Sequence, residues 1–322
     1  MTDLIHIGWQ NGASATASGP LPRIIWCQWT DGLDDAPEMV LRCLQSWVHF
    51  NPDWQVCLIT RETIGEVLDL DATLGPGWEQ MEIQALSNII RLNLLAEHGG
   101  VWTDATVMCR KPLDAWLAPF LSQGWFAFDR PAPDRPIATW FMAGLPGALI
   151  LDRLNEVSNR FWRANPHRGA PSSYALERSA AYSDMAVLRF DGTELRIDPA
   201  DLDAAPASAG LDAVRASVLE PGEAVDYAPF ARSYPYFWLH SMFDALATDD
   251  AAFARTWAAT PRLSADVAHF VQTYGMSSPA TDAFRCVWDH GIAPLYKLDM
   301  WHAEREPDPA SALGHVLDQR NW

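Results

Sequence analysis

Residues Ser87–Thr106, SNIIRLNLLAEHGGVWTDAT, gather the side chains best placed to do chemistry. Gln84, Asn88 and Arg91 recur at i, i+4 and i+7, so they share one face of a helix, apart from the apolar stripe of Ile83, Leu86, Ile90 and Leu94. Gly99-Gly100 ends that helix, and Val101-Trp102 begins a strand with Asp104 and Thr106 at its end. In open α/β sheets the ligand crevice lies at the carboxyl ends of strands. Asp104 therefore has two readings. It binds a ribose hydroxyl or a metal on a nucleotide diphosphate, or it starts a turn by bonding its own backbone. Lys297 is the second chemical landmark, because only Lys111 and Lys297 among the 23 basic residues are lysines. It sits among apolar residues in PLYKL, where an ammonium needs an anionic partner: a diphosphate or a carboxylate of the protein.

The elements that must position these groups alternate strand and helix. Arg23–Gln28 and Trp54–Thr60 read as buried strands, and Glu38–Phe50 and Arg61–Leu68 as helices. The helix Glu82–His98 and the strand from Val101 continue the series. Strands follow at Trp125–Asp129 and Thr139–Ala143, then a helix at Leu149–Trp162. Further helices are expected at Tyr234–Leu246, Ala251–Ala259, Ser264–Tyr274 and Ser311–Gln319. This alternation predicts an α/β fold with a mostly parallel central sheet flanked by helices, plus helical C-terminal additions. Residues 1–21 read as a flexible leader, 22–300 as the folded domain, 190–225 as an insertion or loose subdomain, and 301–322 as a tail.

Composition narrows the function. The 322 residues carry 23 Lys+Arg against 41 Asp+Glu, a formal charge of −18, which argues against nucleic-acid binding and polybasic attachment to anionic lipid. An anionic ligand then requires a local cationic pocket or a metal. No stretch is long and apolar enough to span a bilayer, and residues 1–19 do not read as a signal peptide. Cys27, Cys43, Cys57, Cys109 and Cys286 form no metal spacing and fit reduced thiols, so a cytoplasmic location is expected. The 16 Trp suit either sugar-binding surfaces or a core.

The helix-GG-aromatic-x-DxD block resembles that of GT-A glycosyltransferases. It is similar in particular to the capsular polysaccharide synthesis family, related to glycosyltransferase family 32 and more remotely to clostridial glucosylating toxins. PRIIWCQW at Pro22–Trp29, Ser46-Trp47, Asn51-Pro52-Asp53-Trp54, Trp140-Phe141, YPYFWLH at Tyr234–His240 and PLYKL at Pro294–Leu298 carry the same resemblance.

That resemblance implies a single-domain GT-A enzyme that moves a hexose from a nucleotide sugar, with retention, to a glycan or glycoconjugate acceptor in surface polysaccharide assembly. The donor would be a UDP-hexose first and GDP-mannose second. The resemblance makes Arg91 and Asp104 the catalytic pair. It places Trp26, Gln28, Asn88, Arg91, Trp102, Asp104, Thr106 and Lys297 at the donor, and Asp129, Trp140 and Phe141 at the acceptor. Asn88 stands where relatives often have Asp. Arg91 also fits a solvated helix arginine, Trp102 a buried strand residue, and the acceptor candidates core or loop.

Thr106 departs from the DxD pattern, although capsule-type members share D-A-T. A neutral hydroxyl is a poor ligand for Mn²⁺ or Mg²⁺. Three arrangements stay open: Asp104 with His240 as metal ligands, His240 as a structural histidine, or metal-free transfer with Arg91 and Lys297 stabilising the diphosphate. A peripheral link to a membrane assembly complex is compatible with the charge. The non-enzymatic alternative is a Trp-rich sugar-binding protein without turnover. A hydrolase lacks a second facing carboxylate, and QWTDGLDDAP has no dinucleotide-type GxGxxG.

Overall fold

A computed structural model describes residues 19–132, 135–164, 186–190, 193–197, 237–299, 306–318, 320 and 322. The leader up to residue 18, most of 190–225, residues 234–236 and the start of the C-terminal tail lie outside the described residues.

The central sheet contains β1 (Ile24–Gln28), β2 (Gln55–Ile59), β3 (Gly100–Asp104), β5 (Trp125–Ala132) and β6 (Arg135–Gly144), in the order β2-β1-β3-β6-β5. β4 (Val107–Cys109) lies outside it, as does the separate pair β7 (Ala186–Phe190) and β8 (Thr193–Ile197). β1 runs parallel to both β2 and β3, and β6 is antiparallel to β3 and β5. Four of the five strands therefore point the same way, as the βα alternation requires, and β6 is the exception. β5 and β6 are longer than their apolar cores suggest, and they pair directly.

Alternation along β1 divides the core into two layers. Ile24 and Trp26 join Trp102 and Met142 on one face, with α3 (Ile83–Glu97) and α4 (Leu149–Ala164). Ile25 and Cys27 join Trp47, Phe126, Phe128 and Phe141 on the other, with α1 (Glu38–Phe50). Burying each such large side chain contributes about 1.5–3 kcal/mol. Trp26, Trp47, Trp102, Trp125, Trp162, Trp238 and Trp288 are fully buried, so these tryptophans build core rather than an exposed sugar platform.

The helix expected over Arg61–Leu68 is replaced by a short turn at Ile64–Glu66 and by α2, Leu70–Leu74. Local bonds explain the break. The Thr60 hydroxyl accepts from the Glu62 and Thr63 amides, and the Asp69 carboxylate accepts from Ala72 N at 2.9 Å, capping the new helix. In the C-terminal half the described helices are α5 (Trp238–Asp249), α6 (Ala251–Ala259), α7 (Phe270–Tyr274), α8 (Asp282–His290) and α9 (Ala312–Leu317). The 264–274 helix is shorter than its pattern suggested, and α8 was not read from the sequence.

The α3–β3 connection sets the geometry of the site. Gly99 and Gly100 have φ of 68° and 96°. A Cβ on Gly100 would lie 2.6 Å from the Ile24 carbonyl oxygen, so the turn presses directly against β1. Gly100→Ala should destabilise the protein by at least about 1–3 kcal/mol, since it combines a positive φ with a backbone clash. Urea unfolding checks this: the midpoint should fall, and an unchanged midpoint would show that the turn tolerates a side chain.

Candidate active site

The reversal at Gly99-Gly100 brings Arg91 beside Asp104. Seven helical residues from Arg91 to His98 span about 10 Å. Four strand steps from Gly100 to Asp104 return about 13 Å. Arg91 therefore lies level with the end of β3. Its side chain is 6% exposed. Nη2 donates to Asp104 Oδ1 at 3.2 Å and to Ser87 Oγ at 2.9 Å, Nε donates to the Ser87 carbonyl, and Nη1 donates to the Thr139 carbonyl of β6. The guanidinium also stands 4.9 Å over the Trp102 ring.

Lys297 reaches the same carboxylate from the far end of the chain. β4 follows Asp104 after a tight turn and pairs antiparallel with β9, Leu295–Lys297, so that Val107 faces Lys297. Leu298 N donates to the Thr106 carbonyl at 2.8 Å, locking the register. The Lys297 Nζ then lies 3.4 Å from Asp104 Oδ2 and 2.5 Å from Thr106 Oγ1. Both a protein carboxylate and the Thr106 hydroxyl thus meet the lysine.

The Ser46-Trp47 and Asn51 motif residues hold β4 in place. Ser46 Oγ accepts from Cys109 N at 2.9 Å, and Trp47 Nε1 donates to the Val107 carbonyl at 2.9 Å. Asn51 Oδ1 accepts from Leu113 N at 2.7 Å. These residues act on the site through the strand they anchor.

Asp104 consequently accepts from Arg91, from Lys297 and from Trp102 Nε1, the last at 3.1 Å. Burial alone would raise its pKa, but the two cations and the hydrogen bonds hold it below the usual carboxylate value. Gln28, at the end of β1, pairs in register with Asp104, and its buried Oε1 has no hydrogen-bond partner among the described residues. Asn88 lies half-buried on α3, one residue beyond Ser87.

Trp26 is the main correction on the donor side. It is fully buried, and its indole N–H donates to the Gly99 carbonyl at 2.8 Å, near the opposite end of β3 from Asp104. Strand alternation makes Gln28, not Trp26, the β1 residue on this face at the level of the site. Phe141 is a second correction: it is fully buried against Trp47, Trp116, Phe126 and Phe128. Trp140 stacks on Phe128 and approaches His269 at 5.5 Å. Asp129 sits at an irregularity in β5, held through its backbone to Leu263 and Ala265, with its carboxylate 3.8 Å from Arg262.

Three further groups surround the pair. His240 on α5 is buried, with Nδ1 lacking a hydrogen-bond partner among the described residues. Burial, then Arg135 and Arg91, push its pKa to about 3, so its ring is neutral at pH 7. His269 is pushed down by burial, Lys297 and Arg135, against Asp266. Arg135 and His269 were not singled out in the sequence, because neither falls in a motif or a periodic face.

The arrangement does not suit a divalent cation held by Asp104 and His240. No hydrogen bond joins His240 to Asp104, and its charged neighbours are arginines. Among the described residues no group of three or more His, Cys, Asp or Glu is gathered. The Asp104 oxygens already face two cations. What the site offers instead is a surplus of positive charge around one carboxylate, in a chain that is acidic as a whole.

Residues 11–169 match the family model described as "Capsular polysaccharide synthesis protein". Through that segment, the chain is similar to the capsular polysaccharide synthesis protein family. The matched segment contains α3, β3 and the Arg91–Asp104 pair but not Lys297. The chain is also similar to "Glycosyltransferase afumC" of Aspergillus fumigatus, 25% identical over 44% of this chain and 40% of that protein. Two proteins named "Initiation-specific alpha-1,6-mannosyltransferase" match as well. The Candida albicans protein is 29% identical over 31% of this chain and 28% of its own length. The Saccharomyces cerevisiae protein is 27% identical over 34% and 24%. The chain thus spans less than half the length of these curated relatives. A solved structure titled "PaToxG Glycosyltransferase" aligns with a TM-score of 0.34 and 14% identity, over 46% of this chain and 64% of that one.

The buried neutral histidine gives the protein an acid sensitivity of known sign. The His240 pKa is lowered on folding, so the unfolded state binds one more proton between pH 6.5 and about 3. Stability therefore falls as pH falls through that window. His240→Asn should reduce the slope of unfolding free energy against pH between roughly 4.5 and 5.5 by about 1.4 kcal/mol per pH unit. Urea titrations at several pH values measure it, and identical slopes would place the titration elsewhere.

Proposed function

We propose that the protein is a retaining glycosyltransferase that transfers a hexose from a nucleotide sugar to a glycan or glycoconjugate acceptor in surface polysaccharide assembly. The observation that carries this reading is the Asp104 carboxylate held between Arg91 and Lys297 at the carboxyl end of β3. The family match and the glycosyltransferase names of the relatives support it. The mannosyltransferase names favour a mannosyl donor over other hexoses.

The chemistry asks for charge stabilisation and alignment. The bond from the anomeric carbon to the diphosphate oxygen breaks, and the electron pair leaves with the diphosphate. The acceptor oxygen bonds to the same carbon from the same face, and its proton passes to the departing phosphate. Arg91 and Lys297 offset the charge that develops on the leaving group. Asp104 fixes both cations and presents a carboxylate edge to sugar or ribose hydroxyls. Asn88, half-buried on the Arg91 helix, supplies a neutral donor and acceptor to the sugar. Trp102 fills the space beneath Asp104 and holds it by its indole N–H.

The sugar-binding alternative drew part of its support from tryptophan content. The fully buried tryptophans withdraw that part.

The test is nucleoside diphosphate release from GDP-mannose and from UDP-hexoses, with an oligosaccharide acceptor panel. Asp104→Ala and Arg91→Ala should each lower turnover by about 100-fold or more, the scale of losing a transition-state charge contact. Circular dichroism should show the fold retained, and thermal melting a lowered midpoint, because each variant strips a partner from a largely buried ion pair. Near-wild-type turnover in either variant would sink the site assignment.

A further inference from the structure

We infer that Lys297 occupies the position a divalent cation would need, and that the protein binds a nucleoside diphosphate through this built-in ammonium without metal. This rests on the transferase reading and goes beyond it.

Two oxygens at the end of β3 converge on one point: Asp104 Oδ2 and Thr106 Oγ1. A hard cation shared by these residues would use both. The Lys297 Nζ is already there, 2.5 Å from the hydroxyl and 3.4 Å from the carboxylate. The other carboxylate oxygen accepts from Arg91 and Trp102. A Mn²⁺ or Mg²⁺ entering this point would have to displace the ammonium and would face the fixed Arg91 guanidinium across the same carboxylate.

The lysine is delivered by backbone, not by a flexible loop. β9 pairs with β4, Leu298 N bonds the Thr106 carbonyl, and Lys297 N bonds the Ala268 carbonyl at 2.9 Å. Its side chain is 16% exposed, so it is not closed off from solvent. An ammonium has three donors. Asp104 and Thr106 take two, and among the described residues nothing takes the third. A phosphate oxygen is the matching acceptor.

Thr106 then has a reason to be neutral. A carboxylate there would cancel the Lys297 charge that a phosphate requires, whereas a hydroxyl orients the ammonium and leaves its charge in place. With Arg91 on the other carboxylate oxygen, the balance around Asp104 favours an anion over a further cation.

Calorimetric titration of the full chain with UDP and with GDP, in EDTA and in Mn²⁺, tests this. Wild type should bind one of them with affinity unchanged within about twofold between the two conditions. Lys297→Met should weaken binding by about tenfold or more, the scale of one lost charged hydrogen bond, and Mn²⁺ should not restore it. Lys297→Arg should retain most of the affinity, since it keeps the charge. A thermal melt of each variant reports folding, and if Lys297→Met does not fold, the wild-type comparison decides alone. Binding that appears only with Mn²⁺, or an unchanged affinity in a folded Lys297→Met, would overturn the inference and leave the transferase reading standing. Absence of UDP and GDP binding in both conditions would overturn the transferase reading, and this inference with it.

Discussion

One carboxylate held by two cations is the interaction on which the rest depends. Asp104 meets Arg91 and Lys297 from opposite ends of the sequence, 13 and 193 residues away. A buried pair stripped of one partner leaves an uncompensated charge, which is far costlier than the pair is stabilising. The surrounding elements read as the means of keeping the trio together. The Gly99-Gly100 turn folds α3 back along β3, β4 carries the chain on from Asp104, and β9 returns Lys297 to it. Even the Ser46-Trp47 and Asn51 motif, distant from any chemistry, holds β4 through two buried hydrogen bonds to the strand and a third to Leu113 just beyond it.

The electrostatics invert locally. A chain of formal charge −18 repels anions at long range. The site offsets this by setting Arg91 and Lys297 on one carboxylate, with His240 and His269 held toward the neutral form. Low dielectric strengthens these contacts relative to bulk water. Lysine is nearly absent from the chain, and one of its two copies is spent here. Arginine would spread its charge over a planar fork, whereas lysine offers a compact charge of the kind a metal would supply.

How much of this was legible depends on the range of each contact. The α3 helix, its Gly-Gly stop and the strand ending at Asp104 follow from local periodicity, and the Arg91–Asp104 meeting follows from helix and strand rise. The meeting of Lys297 with Asp104 does not. It rests on two three-residue strands, β4 and β9, too short to carry a periodic signal. The sequence alone left diphosphate and protein carboxylate equally open as the partner of Lys297, and the fold supplies the carboxylate while leaving one donor over. Aromatic residues misled for a different reason. Trp26 and Phe141 carry the same side-chain types as sugar platforms, and only strand alternation and sheet packing reveal them as core. Arg61–Leu68 was read as a helix because apolar spacing over one turn is ambiguous, and the Thr60 and Asp69 hydrogen bonds decided otherwise.

If this trio receives a phosphate, the contact is visible in a complex. A crystal structure with UDP or GDP bound tests it most directly. A diphosphate oxygen should lie about 3 Å from the Lys297 Nζ, with Arg91 on the same group and both still on Asp104. A diphosphate bound elsewhere, or a metal ion between Asp104 and Thr106 with Lys297 turned away, would contradict it.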